Sequence, residues 1–171
     1  APDAIGLFYW ASEIDRGFTL QNMAKSFFEQ PETLAVYADA LDDEGNLVDV
    51  DSFVTAVYNN VLGRGPDADG FAYWVGELIN NTNITPPNFI LSIIGGAKYP
   101  SNPTRQTDLD QAYLASKADL GVYYSAIKGL SNTEDAKDVM ALFDGTEAGI
   151  QNTVAAIDLL YQDAIDPVDG E

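Results

Sequence analysis

The chain contains no cysteine and no histidine, and its 27 acidic side chains face only 8 basic ones, for a formal charge of −19. Each shortage closes off a class of chemistry. Without cysteine there is no disulfide, no thiolate nucleophile and no thiolate metal ligand. Without histidine the usual general base near neutral pH and the usual zinc ligand are gone. Lys and Arg vanish altogether from Asp138 onward. The resulting field repels phosphate backbones and anionic bilayers, so nucleic acid is not an expected partner. No apolar run of about 18 residues occurs, so no membrane span is expected. What such a surface attracts is metal cations and basic partners.

What is present is a folded chain with an internal repeat. Hydrophobic residues make up 46% of the 171, enough for a good core and against disorder. Pro2-Asp3-Ala4-Ile5-Gly6-Leu7-Phe8-Tyr9-Trp10 matches Pro66-Asp67-Ala68-Asp69-Gly70-Phe71-Ala72-Tyr73-Trp74, 64 residues further on. The match continues downstream, where Met23, Ala24, Phe27 and Phe28 correspond to Phe89, Ile90, Ile93 and Ile94. A pattern shared in the same phase marks each copy as one helical-hairpin unit. The second copy is preceded by a helix through Val57, Tyr58 and Val61 that the first lacks, because the chain begins at Ala1. A piece of a longer polypeptide is therefore expected, its first repeat truncated at the N-terminus and its other domains among its partners.

The pattern predicts an all-α fold of about nine helices: two related hairpin units and a C-terminal helical hairpin. Strict alternation never persists long enough for a strand. In the second copy Gly63 is read as the helix stop and Pro66 as the first residue of the next helix, with Asp67 in its first turn. Phe71, Trp74, Val75, Leu78 and Ile79 then form one apolar stripe. Asp51 or Ser52 is expected to cap the helix before the motif, Gly95-Gly96 to end the one after it, and Ser131 or Thr133 to cap a later one. The division expected is a tandem repeat over residues 1–97, a linker over 98–108, a helical segment over 109–165 packed on the repeat, and a tail over 166–171.

Tyr58-x-x-Val61-Leu62-Gly63-Arg64-x-Pro66-Asp67-x-x-Gly70-x-x-Tyr73-Trp74 resembles the signature of an α-helical domain-of-unknown-function family that recurs in large secreted bacterial proteins. RTX-type calcium-binding proteins, surface-layer proteins and adhesins carry it, and it is distantly similar to the phycobilisome linker domain. The segment from Ala112 to Tyr124 resembles the stretch that commonly follows. The resemblance implies no catalytic residues. It implies an extracellular or cell-surface setting, often reached by type I secretion, and a role in assembly or in attachment to envelope polysaccharide or lipopolysaccharide. The phycobilisome likeness implies, as the alternative, a scaffold that holds protein subunits. The copies differ at Ile5 and Asp69, so a role for Asp69 is not shared.

Candidate residues follow from the motif and from the acids. Arg64, Pro66, Asp67, Gly70, Tyr73 and Trp74, with Pro2, Asp3, Gly6, Tyr9 and Trp10 in the first copy, are expected to be structural. Trp10 and Trp74 lie on the apolar stripes and are read as core, against an aromatic platform for sugars. Arg64 is read as an ion-pair partner of Asp67 or another acid, against a contact to an anionic ligand at the helix N-terminus. The loop from Asp42 to Asp51 is the most polar connection in the chain, and Asp42, Asp43, Glu44, Asn46 and Asp49 are its candidate calcium ligands, since calcium takes six to eight oxygens. The EF-hand pattern fails there, because its first position would be Ala40 and its twelfth Asp51. An enzyme is not expected. The one remote form is a polysaccharide-acting enzyme with two carboxylates, and no pair has the apolar surroundings that would raise one pKa.

Overall fold

The computed structural model describes residues 2–166. Apart from Asp166, the expected tail lies outside them. Among the described residues nine α-helices run in order: α1 (Ala4–Asp15), α2 (Leu20–Phe28), α3 (Pro31–Val36), α4 (Val50–Leu62), α5 (Ala68–Asn80), α6 (Pro86–Lys98), α7 (Arg105–Val122), α8 (Thr133–Met140) and α9 (Glu147–Ile165). A π-helical turn, Tyr123–Ile127, continues α7. No strand occurs among the described residues, where an isolated antiparallel bridge joins Leu41 and Leu47. The all-α architecture is as the apolar periodicity demands.

Helix ends depart from expectation where a carboxylate or amide competes for the cap. Asp67 is itself the N-cap of α5, extended at φ −73° and ψ 165°, and its side chain accepts from the Gly70 N–H. Pro66 therefore precedes the helix. Asp3 caps α1 in the same way, accepting from the Gly6 N–H, and Pro2 lies outside. Asp49 caps α4 and Asn132 caps α8, in place of the residues expected one to three positions away. A side-chain oxygen that reaches a free N–H of the first turn contributes about 0.5–2 kcal/mol, which selects the capping residue. Gly95 and Gly96 do not end α6, which runs on to Lys98. The connection after it is correspondingly shorter than 98–108, since α7 begins at Arg105.

The chain divides into two compact units, residues 17–111 and residues 2–16 with 112–166. This differs from the division at 97 and 108, and it places the two helices of the first sequence copy, α1 and α2, in different units.

Within residues 17–111, α4 is the central helix. Phe53, Val54, Val57, Tyr58, Val61 and Leu62 are all buried, each large one contributing roughly 1.5–3 kcal/mol. It packs on α5 and α6, and α2 packs on α6. A chain of rings crosses the unit: Phe28 to Tyr37 at 6.1 Å, Tyr37 to Phe53 at 5.4 Å, Phe53 to Phe89 at 5.7 Å and Phe89 to Trp74 at 5.1 Å between centroids.

In the other unit α1 packs on the π-helical turn and α8 on α9. Tyr124, Ala136, Val139 and Ile157 form its core, with Leu130, Met140 and Leu160 against it.

Candidate functional site

The motif residues converge on the turn between α4 and α5. Gly63 closes α4 in the left-handed conformation at φ 68°, which an L side chain adopts only at a cost. That turn sends Arg64 toward the first turns of α7. Its Nε and one terminal nitrogen donate to the two carboxylate oxygens of Asp110, both at 2.7 Å. Asp110 is 4% exposed and also accepts from the Gln106 amide at 2.9 Å. The guanidinium lies 5.5 Å from the centroid of the Tyr58 ring, and its hydrogen bonds to Asp110 push its pKa further up. The pair is thus bidentate, desolvated on the acid side and backed by an aromatic face, a geometry that holds a fixed orientation. The ion-pair partner of Arg64 is thus Asp110 rather than Asp67.

Asp67, Gly70 and Trp74 complete the cluster. Burial pushes the Tyr58 hydroxyl up, and the nearby Asp67 adds to this. The Trp74 indole, a donor only, hydrogen-bonds that hydroxyl. A Cβ on Gly70 would sit 3.0 Å from the Tyr58 hydroxyl and 3.4 Å from Asp67 Oδ1. Gly70→Val is therefore expected to cost about 1–3 kcal/mol by overpacking, read as a lower urea midpoint with an unchanged slope. Stability equal to the parent's would mean that the close approach is absent in solution. Trp10 and Trp74 are half-buried rather than core. Tyr9 and Tyr73, edge-on to them at 5.1 Å and 4.9 Å, are 56% and 58% exposed.

A further helix–turn of the same kind, which the sequence reading missed, serves α1. Tyr124-x-x-Ile127-x-Gly129 repeats the spacing of Tyr58-x-x-Val61-x-Gly63, and Gly129 has the same φ of 68°. Tyr124 is fully buried. Burial pushes its hydroxyl up, and the charges of Asp135 and Asp3 add to this, as Asp67 does at Tyr58. The Ala4 N–H donates to the Leu130 carbonyl at 3.1 Å, and Pro2 lies against Gly121. α1 thus packs on a helix–turn from beyond residue 112, much as α5 packs on α4. The Tyr-x-x-Val/Ile-x-Gly spacing was legible, but Lys128 and Leu130 stand where the motif has Leu62 and Arg64.

In the acidic loop Asp42 and Asp49 are engaged locally. Asp42 accepts from the N–H groups of Glu44 and Asn46 and from the Asn46 side-chain amide, at 3.1, 2.7 and 2.9 Å. Asp49 accepts from the Ser52 N–H and hydroxyl at 3.0 and 2.9 Å. The structure does not gather Asp42, Asp43, Glu44, Asn46 and Asp49 into a ligand set, and no cluster of three or more His, Cys, Asp or Glu suited to a metal occurs among the described residues.

The hydrogen bonds received lower the pKa of Asp42, through the Asn46 amide first, and of Asp49, through the Ser52 N–H first. Asp67 is lowered mainly by the Gly70 N–H, and Asp144 mainly by the Thr146 hydroxyl. A folded-state value below the unfolded one, 3.8 for these groups, gives stability that is present above it and is lost as pH falls through the folded value. The melting temperature should be flat from pH 7 to 5 and fall below about pH 4. A rise below pH 4 would mean that relief of charge repulsion outweighs these lost hydrogen bonds.

An apolar feature lies between α2, α3, α4 and α6. It is a groove of about 550 Å³ lined by Leu20, Met23, Phe27, Val36, Ile90 and Ile94, among others. Tyr37 and Asn60 also line it, and the Asn60 amide donates to the Tyr37 hydroxyl at 3.1 Å.

Residues 40–94 match a family described only as a domain of unknown function, DUF4214. The match spans α4, the motif turn, α5 and α6 as far as Ile94. No curated protein and no solved structure matches the chain.

Proposed function

We propose that the chain is a non-enzymatic structural and binding module of an exported bacterial surface protein, helping to assemble it or attach it to the envelope. The observation that carries the reading is how the motif is used. Its charged residues hold a helix–turn–helix, with Arg64 on Asp110 and Asp67 on the helix cap. The carboxylates with shifted pKa, Asp42, Asp49, Asp67, Asp144 and Asp158, are all shifted downward, the opposite of a carboxyl kept protonated as a general acid. The surface setting rests on the motif resemblance and the strongly acidic composition. No helix of the described residues is long and apolar enough to cross a membrane.

Binding of the purified chain to envelope polysaccharide and lipopolysaccharide, read by glycan array and pull-down, tests this. Retention on at least one surface polymer is expected; turnover of a polysaccharide would overturn the reading. Calcium acts in this account by screening. Millimolar calcium and sodium chloride at matched ionic strength should raise the melting temperature equally. A calcium-specific increment removed by Asp42→Asn, Asp43→Asn and Glu44→Gln together would instead establish a site in the loop. A second reading, a scaffold for protein subunits, is favoured by Ile5 and Phe8 of α1, 75% and 64% exposed. A one-to-one complex with a basic protein would support it.

A further inference from the structure

The groove between α2, α3, α4 and α6 has a composition that selects its ligand. Its volume, about 550 Å³, falls in the range of about 300–1,000 Å³ found for small-ligand sites. Leu20, Phe27 and Val36 along it keep 58%, 42% and 59% of their surface exposed, apolar area that a ligand would remove from water. No Lys or Arg lines it, and its one charged side chain is Glu32. An anionic head group would meet no counter-charge there, inside a chain that already carries −19. Tyr37 is 4% exposed, and its hydroxyl accepts from the Asn60 amide at 3.1 Å, which leaves its own hydrogen for an acceptor. Burial holds that hydroxyl protonated by raising its pKa.

We propose that this groove binds a neutral single-chain lipid, its aliphatic chain lying against Met23, Phe27, Ile90 and Ile94 and an uncharged carbonyl or hydroxyl oxygen accepting from Tyr37. A docked protein helix fits less well, because a specific interface buries roughly 800 Å² per partner, beyond what one such groove offers. The ligand class does not depend on the proposed surface role, and the two can fail separately.

The test is titration calorimetry of the whole chain with monooleoylglycerol kept below its aggregation concentration. One-to-one binding is expected, with oleate, ionised at neutral pH, weaker by about tenfold or more. Ala24 lines the groove, and Ala24→Trp should fill it and abolish binding while the far-ultraviolet circular dichroism stays helical. Tyr37→Phe should weaken binding about fivefold to tenfold, which keeps the assignment open to refutation should the tryptophan variant fail to fold. Four results would overturn the proposal: no binding to the parent chain, oleate binding as tightly, full affinity in the folded Ala24→Trp variant, or preference for a lysine-rich amphipathic peptide.

Discussion

Asp110→Ala is expected to lower the unfolding free energy by about 2–4 kcal/mol, somewhat below the 3–5 typical of fully buried pairs because Arg64 retains some access to water. The Asp110 side chain is 6% exposed and that of Arg64 26%. Removing the acid leaves a guanidinium in a desolvated corner, with a Gln106 amide that has lost its acceptor. The loss should appear as a lower urea midpoint with an unchanged slope, since the amount of surface exposed on unfolding stays the same. Replacing both partners, Arg64→Met with Asp110→Leu, should return most of the stability, because two well-packed apolar groups carry no desolvation penalty. A double variant as unstable as Asp110→Ala alone would mean that the charge pair contributes more than geometry and desolvation account for.

Phe89→Ala should cost about 3–5 kcal/mol by leaving a cavity in a close-packed interior. Phe89 is fully buried and lies between Phe53 and Trp74, with ring centroids 5.7 Å and 5.1 Å away. Truncation interrupts the line of rings that runs from α2 through α4 and α6 to α5, so the edge-to-face contact to Trp74 and the tilted one to Phe53 are lost along with the buried area. Thermal unfolding of the variant checks this. A loss below about 1 kcal/mol would show that Trp74, half-buried in the native fold, moves in to fill the space.

Much of this core was legible as periodicity. The spacing of Phe53, Val54, Val57, Tyr58 and Val61 defined a helix with one apolar face, and those residues are buried. Thr19 as the cap of α2 and Pro31 at the start of α3 were equally readable, because each uses a local rule. The caps at Asp67 and Asn132 were misplaced for the same kind of reason. Pro66 was read as the first helical residue from its preference for that position, and Ser131 and Thr133 flank Asn132, so the selection depends on which oxygen reaches a free N–H once the chain has turned.

The partner of Arg64 was beyond sequence reading. Asp110 is 46 residues away and looks like any of the other acids until α7 carries it to the turn. The grouping of α1 was also hidden. A repeat at one fixed period argues for neighbours in sequence packing as a hairpin, whereas α1 is completed by Tyr124 and Gly129 from the far end of the chain. The apolar groove was half visible. Met23 and Phe27 correspond in the repeat to Phe89 and Ile93, which are buried, yet the side of α2 that carries Phe27 stays 42% exposed at that residue, because no described element of its unit covers it.

The central claim is that the motif is joinery for the fold, with Arg64 and Asp110 as its pivot. A double-mutant cycle on these two residues by urea denaturation tests it most directly, using Arg64→Met, Asp110→Leu and the double variant. A coupling free energy of about 2–3 kcal/mol is expected, near the upper end for residues in direct contact. Additivity within about 0.5 kcal/mol, the behaviour of distant and independent sites, would contradict the claim and leave the motif's arginine available for another role.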